Sequence, residues 1–303
     1  MGTPAFAVPS LRILATATTL VGVVSQPDRP RGRGLTSQPS PVSITASELG
    51  VPLLRPASIR TADTLEAIAA WRPDLLVVAA YGKILPAVLL ALPTLAPINV
   101  HASLLPRYRG AAPIAASILA GDAETGVTIM LMSQEMDAGD ILLQRAVPIT
   151  ADDTTATLTM ALAELGATAL RDALGALLGS GLRAEPQDVT RVTHAPRLAK
   201  DDGRVDWNRE AVTIERMVRA FTPWPSAFTT LDGRTVKILA ARGAGDARLE
   251  GPPGTIDVHG GGLRVATGHG VLDVLMVQAE GKKAMPAAAF AAGARLGSGA
   301  RFE

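Results

Sequence analysis

The chain has 303 residues, 48% of them hydrophobic, a formal net charge of +1 and no cysteine. Such a length accommodates one large or two medium domains with cores of their own. The lack of cysteine excludes disulfides, thiolate metal sites and thiol nucleophiles, and fits a reducing compartment. Near-neutral charge excludes nucleic-acid binding by the field of the whole molecule, so any such contact must be local. No apolar run approaches the ~20 residues of a membrane span, and the amino terminus lacks the basic flank and apolar core of a signal peptide. The expectation is a soluble, cytoplasmic protein.

In chain order, "MGTPAFAVPSLRIL" comes first, with the turn residues Gly2, Thr3 and Pro4 preceded only by Met1. "LVGVVSQPD" (20–28), "LLVVAAYG" (75–82) and "APINVHAS" (96–103) read as buried strands that end in turns. "TADTLEAIAAW" (61–71) lies between them as a helix, with Thr61 placed to cap it. Alternation of strand and helix predicts an α/β domain with a mostly parallel sheet. "TGVTIMLM" (125–132) and "DILLQRAVPI" (140–149) add strands, and residues 157–181 form a long helix whose apolar positions recur every three or four residues.

The texture then changes. Residues 182–207 are polar and irregular, and beyond them short alternating strands with Asp-Gly and Gly-Gly turns predict a small antiparallel barrel or sandwich. The expected organisation is a first domain over 1–183, a linker over 184–203 and a second domain over 204–303. That second domain holds thirteen basic and ten acidic residues, so only a clustered face of it could bind phosphate. Lys237, Arg264, Lys282 and Lys283 are the candidates, against a plain reading as surface charge. Trp207 and Trp224 are expected to pack in the small barrel rather than stack on bases.

Asn99 and His101 stand two apart at the end of a predicted strand, so their side chains share one face and Val100 takes the other. Ligands bind at that end of open α/β sheets. An amide beside an imidazole can hold an oxyanion or move a proton, although a polar pair at a strand end is more often hydrogen-bonded structure. The remaining histidines, His194, His259 and His269, lie in the linker or in Gly-rich turns and lack zinc-site spacing, so no metal is expected. "QPDRPRGRG" (26–34) sets Arg29, Arg31 and Arg33 among Pro and Gly, a run ordinarily read as a solvated turn.

"NVHASLLPRYRGAAPI" followed by "GVTIMLMSQEMDAGDIL" resembles the folate-dependent formyltransferase family. The likeness spans almost the whole chain and takes in "QPDRPRGRG", "VVAAYGKILP", "AFTPWP" and "EGKKAM". It implies a Rossmann-like formyltransferase domain followed by an OB-like, tRNA-binding barrel. The reaction it implies is attack by the α-amino group of methionine, carried on initiator methionyl-tRNA, on the formyl carbon of 10-formyltetrahydrofolate. Small nucleotide or sugar amines are the alternative acceptors in the same family, and a binding module without turnover is a third reading.

By the resemblance, Asn99, His101 and Asp137 are catalytic, with either His101 or Asp137 as the base, while Asp140 is a turn carboxylate. Ser103, Leu104, Leu105 and Pro106 match the family's folate-contacting loop. Arg29, Arg31 and Arg33 match a loop that grips the tRNA acceptor stem, with Leu35 and Thr36 where some members carry two lysines; Lys282 and Lys283 are added RNA contacts. Nothing demands a dimer, so a monomer is expected. Members also have a short apolar strand running into the Gly-Thr-Pro turn, so a first central strand is expected to be missing from this chain.

Overall fold

A computed structural model describes residues 1–31, 36–179, 183–245, 247–259, 262–297 and 299–303. They form two compact units: Met1–Pro113, Glu124–Pro148 and Thr159–Pro196 make the first; Ile114–Ala123, Ile149–Leu158 and Arg197–Glu303 make the second.

Strands of the first unit are β1 (Val23–Val24), β2 (Arg29–Arg31), β3 (Thr36–Gln38), β4 (Leu53–Leu54), β5 (Leu75–Ala79), β6 (Ala96–His101), β7 (Arg109–Gly110), β8 (Glu124–Leu131), β9 (Ile141–Pro148) and β10 (His194–Ala195). β1 pairs in parallel with β4, and a four-stranded sheet runs β5-β6-β8-β9. Only β5 and β6 of that sheet are parallel; β8 and β9 run antiparallel, so the sheet is mixed rather than mostly parallel. The physical reason lies in the connections. The chain leaves β6 at His101 and re-enters β8 at the same end, where His101 faces Thr128, without crossing over the sheet.

Apolar side chains of β1 and β5 close a core with the helix Ala62–Ala69, including Val24, Ile68, Leu76 and Val78. Thr61 stands at the N-cap of that helix, but its hydroxyl donates to Thr64 Oγ1 instead of accepting a backbone N–H. Helix Pro41–Glu48 is capped as helix chemistry prescribes: Ser40 Oγ accepts from the Ser43 N–H at 3.0 Å, with Pro at the first helical position. From the long helix Thr155–Leu178, Gly166 faces the back of β6: a Cβ there would come within 2.9 Å of Val100 Cγ1. Val100 therefore points into this packing layer, which leaves Asn99 and His101 to the opposite face.

Met1 and Gly2 lie between β1 and β5. The Gly2 N–H donates to Val24 O at 3.1 Å, the Ala79 N–H to Met1 O at 2.9 Å and the α-amine to Val77 O at 2.6 Å. Gly2 also pairs with Ala79 in the parallel sense. Beyond them runs a groove of about 420 Å³ walled by apolar side chains, among them Leu11, Leu14, Val23, Ile68, Trp71 and Val77.

In the second unit, β11 (Ala227–Leu231), β12 (Arg234–Gly243), β13 (Ile256–His259), β14 (Gly262–Ala266), β15 (Val271–Ala279) and β16 (Met285–Pro286) form one antiparallel sheet. Its order is β11-β12-β15-β14-β13, with β16 on β15; among the described residues β11 and β13 do not pair, so the sheet is open. Asp232 and Gly233, at φ 48° and 73°, make the tight turn that joins β11 to β12. Ile214 and Val218 of the helix Ala211–Ala220 pack on Val236, Ile238, Leu272 and Val277. Trp207 is in this core, stacked on Phe302 at 5.6 Å with its Nε1–H on Thr229 Oγ1. Trp224, by contrast, is 54% exposed and so does not pack as the sequence suggests. No described helix is long and apolar enough to cross a membrane.

Candidate active site

β6 ends with Asn99 half-buried and His101 buried. His101 is held from both sides. Its Nε2 lies 3.0 Å from Tyr108 O, and because a carbonyl can only accept, Nε2 carries a hydrogen. Nδ1 is then the nitrogen left to exchange protons, and it faces Asp137 Oδ1 at 3.6 Å, within ion-pair reach and beyond a direct hydrogen bond. The other carboxylate oxygen of Asp137 accepts the Gly110 N–H at 2.8 Å. Asn99 has no side-chain hydrogen bond among the described residues, so both of its amide donors are uncommitted.

His101 and Asp137 thus meet, with Asn99 two residues before His101 on the same face of β6. What sequence reasoning does not supply is the frame around them. Asp137 sits at φ 51°, a left-handed conformation that Asp tolerates better than most residues. Two residues on, Gly139 is packed so tightly that a Cβ would fall 1.9 Å from Leu131 O. The loop is closed by the Leu131 N–H on Asp140 O at 2.9 Å. Asp140 serves it through its main chain.

The stretch read as a linker supplies most of the frame. Glu185 exchanges both backbone bonds with Ile141, at 2.8 and 2.9 Å. β10 pairs in parallel with β7, Thr193 O accepts the Arg109 N–H at 2.9 Å, and Thr193 Oγ1 accepts the Tyr108 N–H at 2.9 Å. Gln187 joins both loops: its Oε1 accepts from Arg109 Nε and Nη2 at 3.1 and 2.8 Å, and its Nε2 donates to Asp137 O and Gly139 O at 2.9 and 2.7 Å. Two- and three-residue pairings of this kind have no periodicity to read, which is why a polar, irregular segment looks like a tether.

Ser103 to Pro106 form a corner whose polar groups are largely used internally. Ser103 Oγ donates to Arg107 O at 2.7 Å, and Thr128 Oγ1 donates to Ser103 O at 2.6 Å while accepting the Leu105 N–H at 3.1 Å. Gln144 Nε2 donates to Leu105 O at 2.8 Å. Ser103, Leu105 and Pro106 are buried and Leu104 is half-buried, so Leu104 is the member of this corner with side-chain surface to offer a ligand.

Arg29 and Arg31 belong to β2, which pairs antiparallel with β3, Arg29 opposite Gln38 and Arg31 opposite Thr36. Arg29 and Arg31 therefore lie on one arm of a two-stranded antiparallel pair. Arg33 lies outside the described residues. In the second unit Lys282 and Lys283 occupy the turn between β15 and β16, both exposed, with neither ammonium paired among the described residues. Lys237 is half-buried, and Arg264 is neutralised by Asp273 at 3.0 Å, which makes Arg264 a poor phosphate ligand.

The formyl transferase family matches residues 8–174, and the formyl transferase C-terminal domain matches residues 197–295. The chain belongs to the formyl transferase family. A methionyl-tRNA formyltransferase of Roseiflexus sp. (strain RS-1) is 48% identical over 304 residues, covering 100% of this chain and 94% of the relative. Among solved structures, an N-formyltransferase from Helicobacter canadensis, complexed with folinic acid and dTDP-3-aminofucose, superposes with a TM-score of 0.66 at 15% identity. That match covers 90% of this chain and 96% of the other. HypX from Aquifex aeolicus in complex with tetrahydrofolic acid gives a TM-score of 0.60 at 20% identity over 81% of this chain, which spans only 43% of HypX. At such identities the two structures show the fold alone.

Proposed function

We propose that this chain transfers the formyl group of 10-formyltetrahydrofolate to the α-amino group of methionyl initiator tRNA. The observation that carries the reading is the 48% identity to a methionyl-tRNA formyltransferase along the entire chain. The site's donor set fits a formyl carbonyl: an uncommitted carboxamide, Asn99, beside a buried imidazole, His101. Bound folate supplies the formyl carbon: the amine attacks it, and the carbonyl oxygen gains negative charge as the new C–N bond forms. Collapse of that adduct breaks the carbon's bond to N10, so that tetrahydrofolate leaves with N10 protonated by a proton given up by the attacking nitrogen. Asn99 donates to that oxygen. His101 Nδ1 and Asp137 act as one proton-accepting unit for the incoming ammonium, with Nε2–H anchored on Tyr108 O so that the ring cannot turn away. Leu104 offers the apolar surface of the folate side.

For the tRNA, the arginine loop and the Lys282–Lys283 turn are the contacts proposed, with the antiparallel second unit as an OB-like RNA platform. Phosphate contacts made by guanidiniums and ammoniums release counterions, so Arg33→Ala is expected to weaken tRNA use and to flatten its salt dependence. An unchanged slope would remove that loop from the interface. The reading as a whole is tested by supplying 10-formyltetrahydrofolate with initiator methionyl-tRNA and, separately, with sugar and nucleotide amines. Formylation of the aminoacyl-tRNA is expected; turnover confined to a small amine would overturn it.

The groove beside Met1 is proposed to accept one further strand, parallel to β1 and β5. Strand geometry turns N–H and C=O of one residue to the same side. Since Val77 O and Ala79 N reach Met1, the N–H and C=O of Leu75 and the N–H of Val77 face the groove as well. A strand there would join β1–β4 to the four-stranded sheet and fill the apolar walls.

A further inference from the structure

We propose that Gln187 is a positioning residue that sets the Asp137 carboxylate against His101; the inference rests on the proposed reading of that pair as the proton acceptor. Gln187 is 9% exposed, and its side chain hydrogen-bonds to Arg109, Asp137 O and Gly139 O rather than to His101, so it acts through others. Its carboxamide has two donors and two acceptor sites, and all four are used on the two loops that build the pair.

One of those loops, Tyr108 to Gly110, holds the imidazole through Tyr108 O and the carboxylate through the Gly110 N–H. The other carries Asp137 itself, in its left-handed conformation. Gln187 locks them together at Arg109, which lies between Tyr108 and Gly110, and at the carbonyls of residues 137 and 139. Its own backbone is pinned on either side, by the Glu185–Ile141 pair and by Thr193 on Arg109, so the amide cannot follow a drifting loop. Arg109 needs that partner: the guanidinium is buried, and its remaining ion pair, with Glu135 at 3.5 Å, goes to a carboxylate that is 78% exposed. The 3.6 Å spacing of Nδ1 and Oδ1 is therefore maintained by a residue far along the chain.

The test compares Gln187→Met, which keeps the volume and loses every hydrogen bond, with Asp137→Asn and with the double variant, all in the full-length enzyme. A displacement of about 1 Å in a catalytic group costs on the order of 10² in rate. The expected result is a fall in kcat of that order, with KM for methionyl-tRNA and for the folate held within about twofold. In the Asp137→Asn background, Gln187→Met should cost less than about twofold more. A full loss repeated in that background, an unchanged kcat, or a loss matched by a lower active fraction would overturn the proposal. An Asp137→Asn enzyme of full rate would instead overturn the active-site reading. If Gln187→Met does not fold, Gln187→Glu keeps the Arg109 contact, loses the donations to the loop and carries the same expectation.

Discussion

The candidate active site and the groove beside Met1 are both built where short pieces of backbone lie against strand ends of the same unit, and their polar groups fare differently. Around His101, the pieces 106–110, 137–141 and 185–195 bond to one another, while the Asn99 amide has no partner among the described residues. Beside Met1 the backbones of Met1 and Gly2 bridge β1 and β5, Thr3 and Gln26 tie the strand ends at Tyr81, and an apolar groove lies beyond Met1. An over-determined frame can hold a residue such as Asp137 at positive φ, a conformation that local chemistry alone would not keep. The bridge at Met1 is made by a few bonds at one end of β1 and β5.

The largest expected effect breaks the site without touching its frame. Asn99→Ala removes a donor that no other described residue uses, so formyl transfer should drop ~10²–10³-fold while the melting temperature and tRNA binding stay near wild type. Lost folding instead of lost rate would return Asn99 to a structural role. Gly139→Ala attacks the frame: with its Cβ forced to 1.9 Å from Leu131 O, the loop must move. A loss of roughly 1–3 kcal/mol in unfolding free energy, accompanied by reduced kcat, is expected from overpacking of this kind; a stable, fully active variant would show the loop to be pliable.

The smallest effect sharpens the other side of the comparison. Burial lowers the Met1 α-amine from 8.0 to about 5, so between those values the unfolded chain binds the extra proton. Stability should therefore rise with pH across that window, by up to about 1.4 kcal/mol per pH unit from this one group, and level off above 8. Joining an extended apolar segment ahead of Met1 converts the amine to an amide and places a strand in the groove. The pH slope should vanish and the melting temperature rise. A lower melting temperature would argue that the groove does not receive a strand.

Several features were legible because they are local. Asn99 and His101 share a face since strands alternate, Asp232-Gly233 turns a hairpin since both residues tolerate positive φ, and the long helix follows its apolar spacing. Gln187, Thr193 and Arg109 were not legible as a frame, because Gln187 meets Arg109 across 78 residues of sequence, and Thr193 meets Tyr108 across 85, through isolated hydrogen bonds. The Ser103–Pro106 corner shows the same limit from the other side, since its motif was readable while the internal use of its polar groups was not.

By itself, then, the sequence determined the residue types that the chemistry needs and the faces they occupy, since covalent geometry and strand periodicity act over a few residues. Tertiary structure alone decided which of those polar groups are already engaged and which are free. A hydrogen-bond donor is available to a substrate only when no fold partner has claimed it, and that depends on chain segments remote in sequence, as at Asn99 and Gln187.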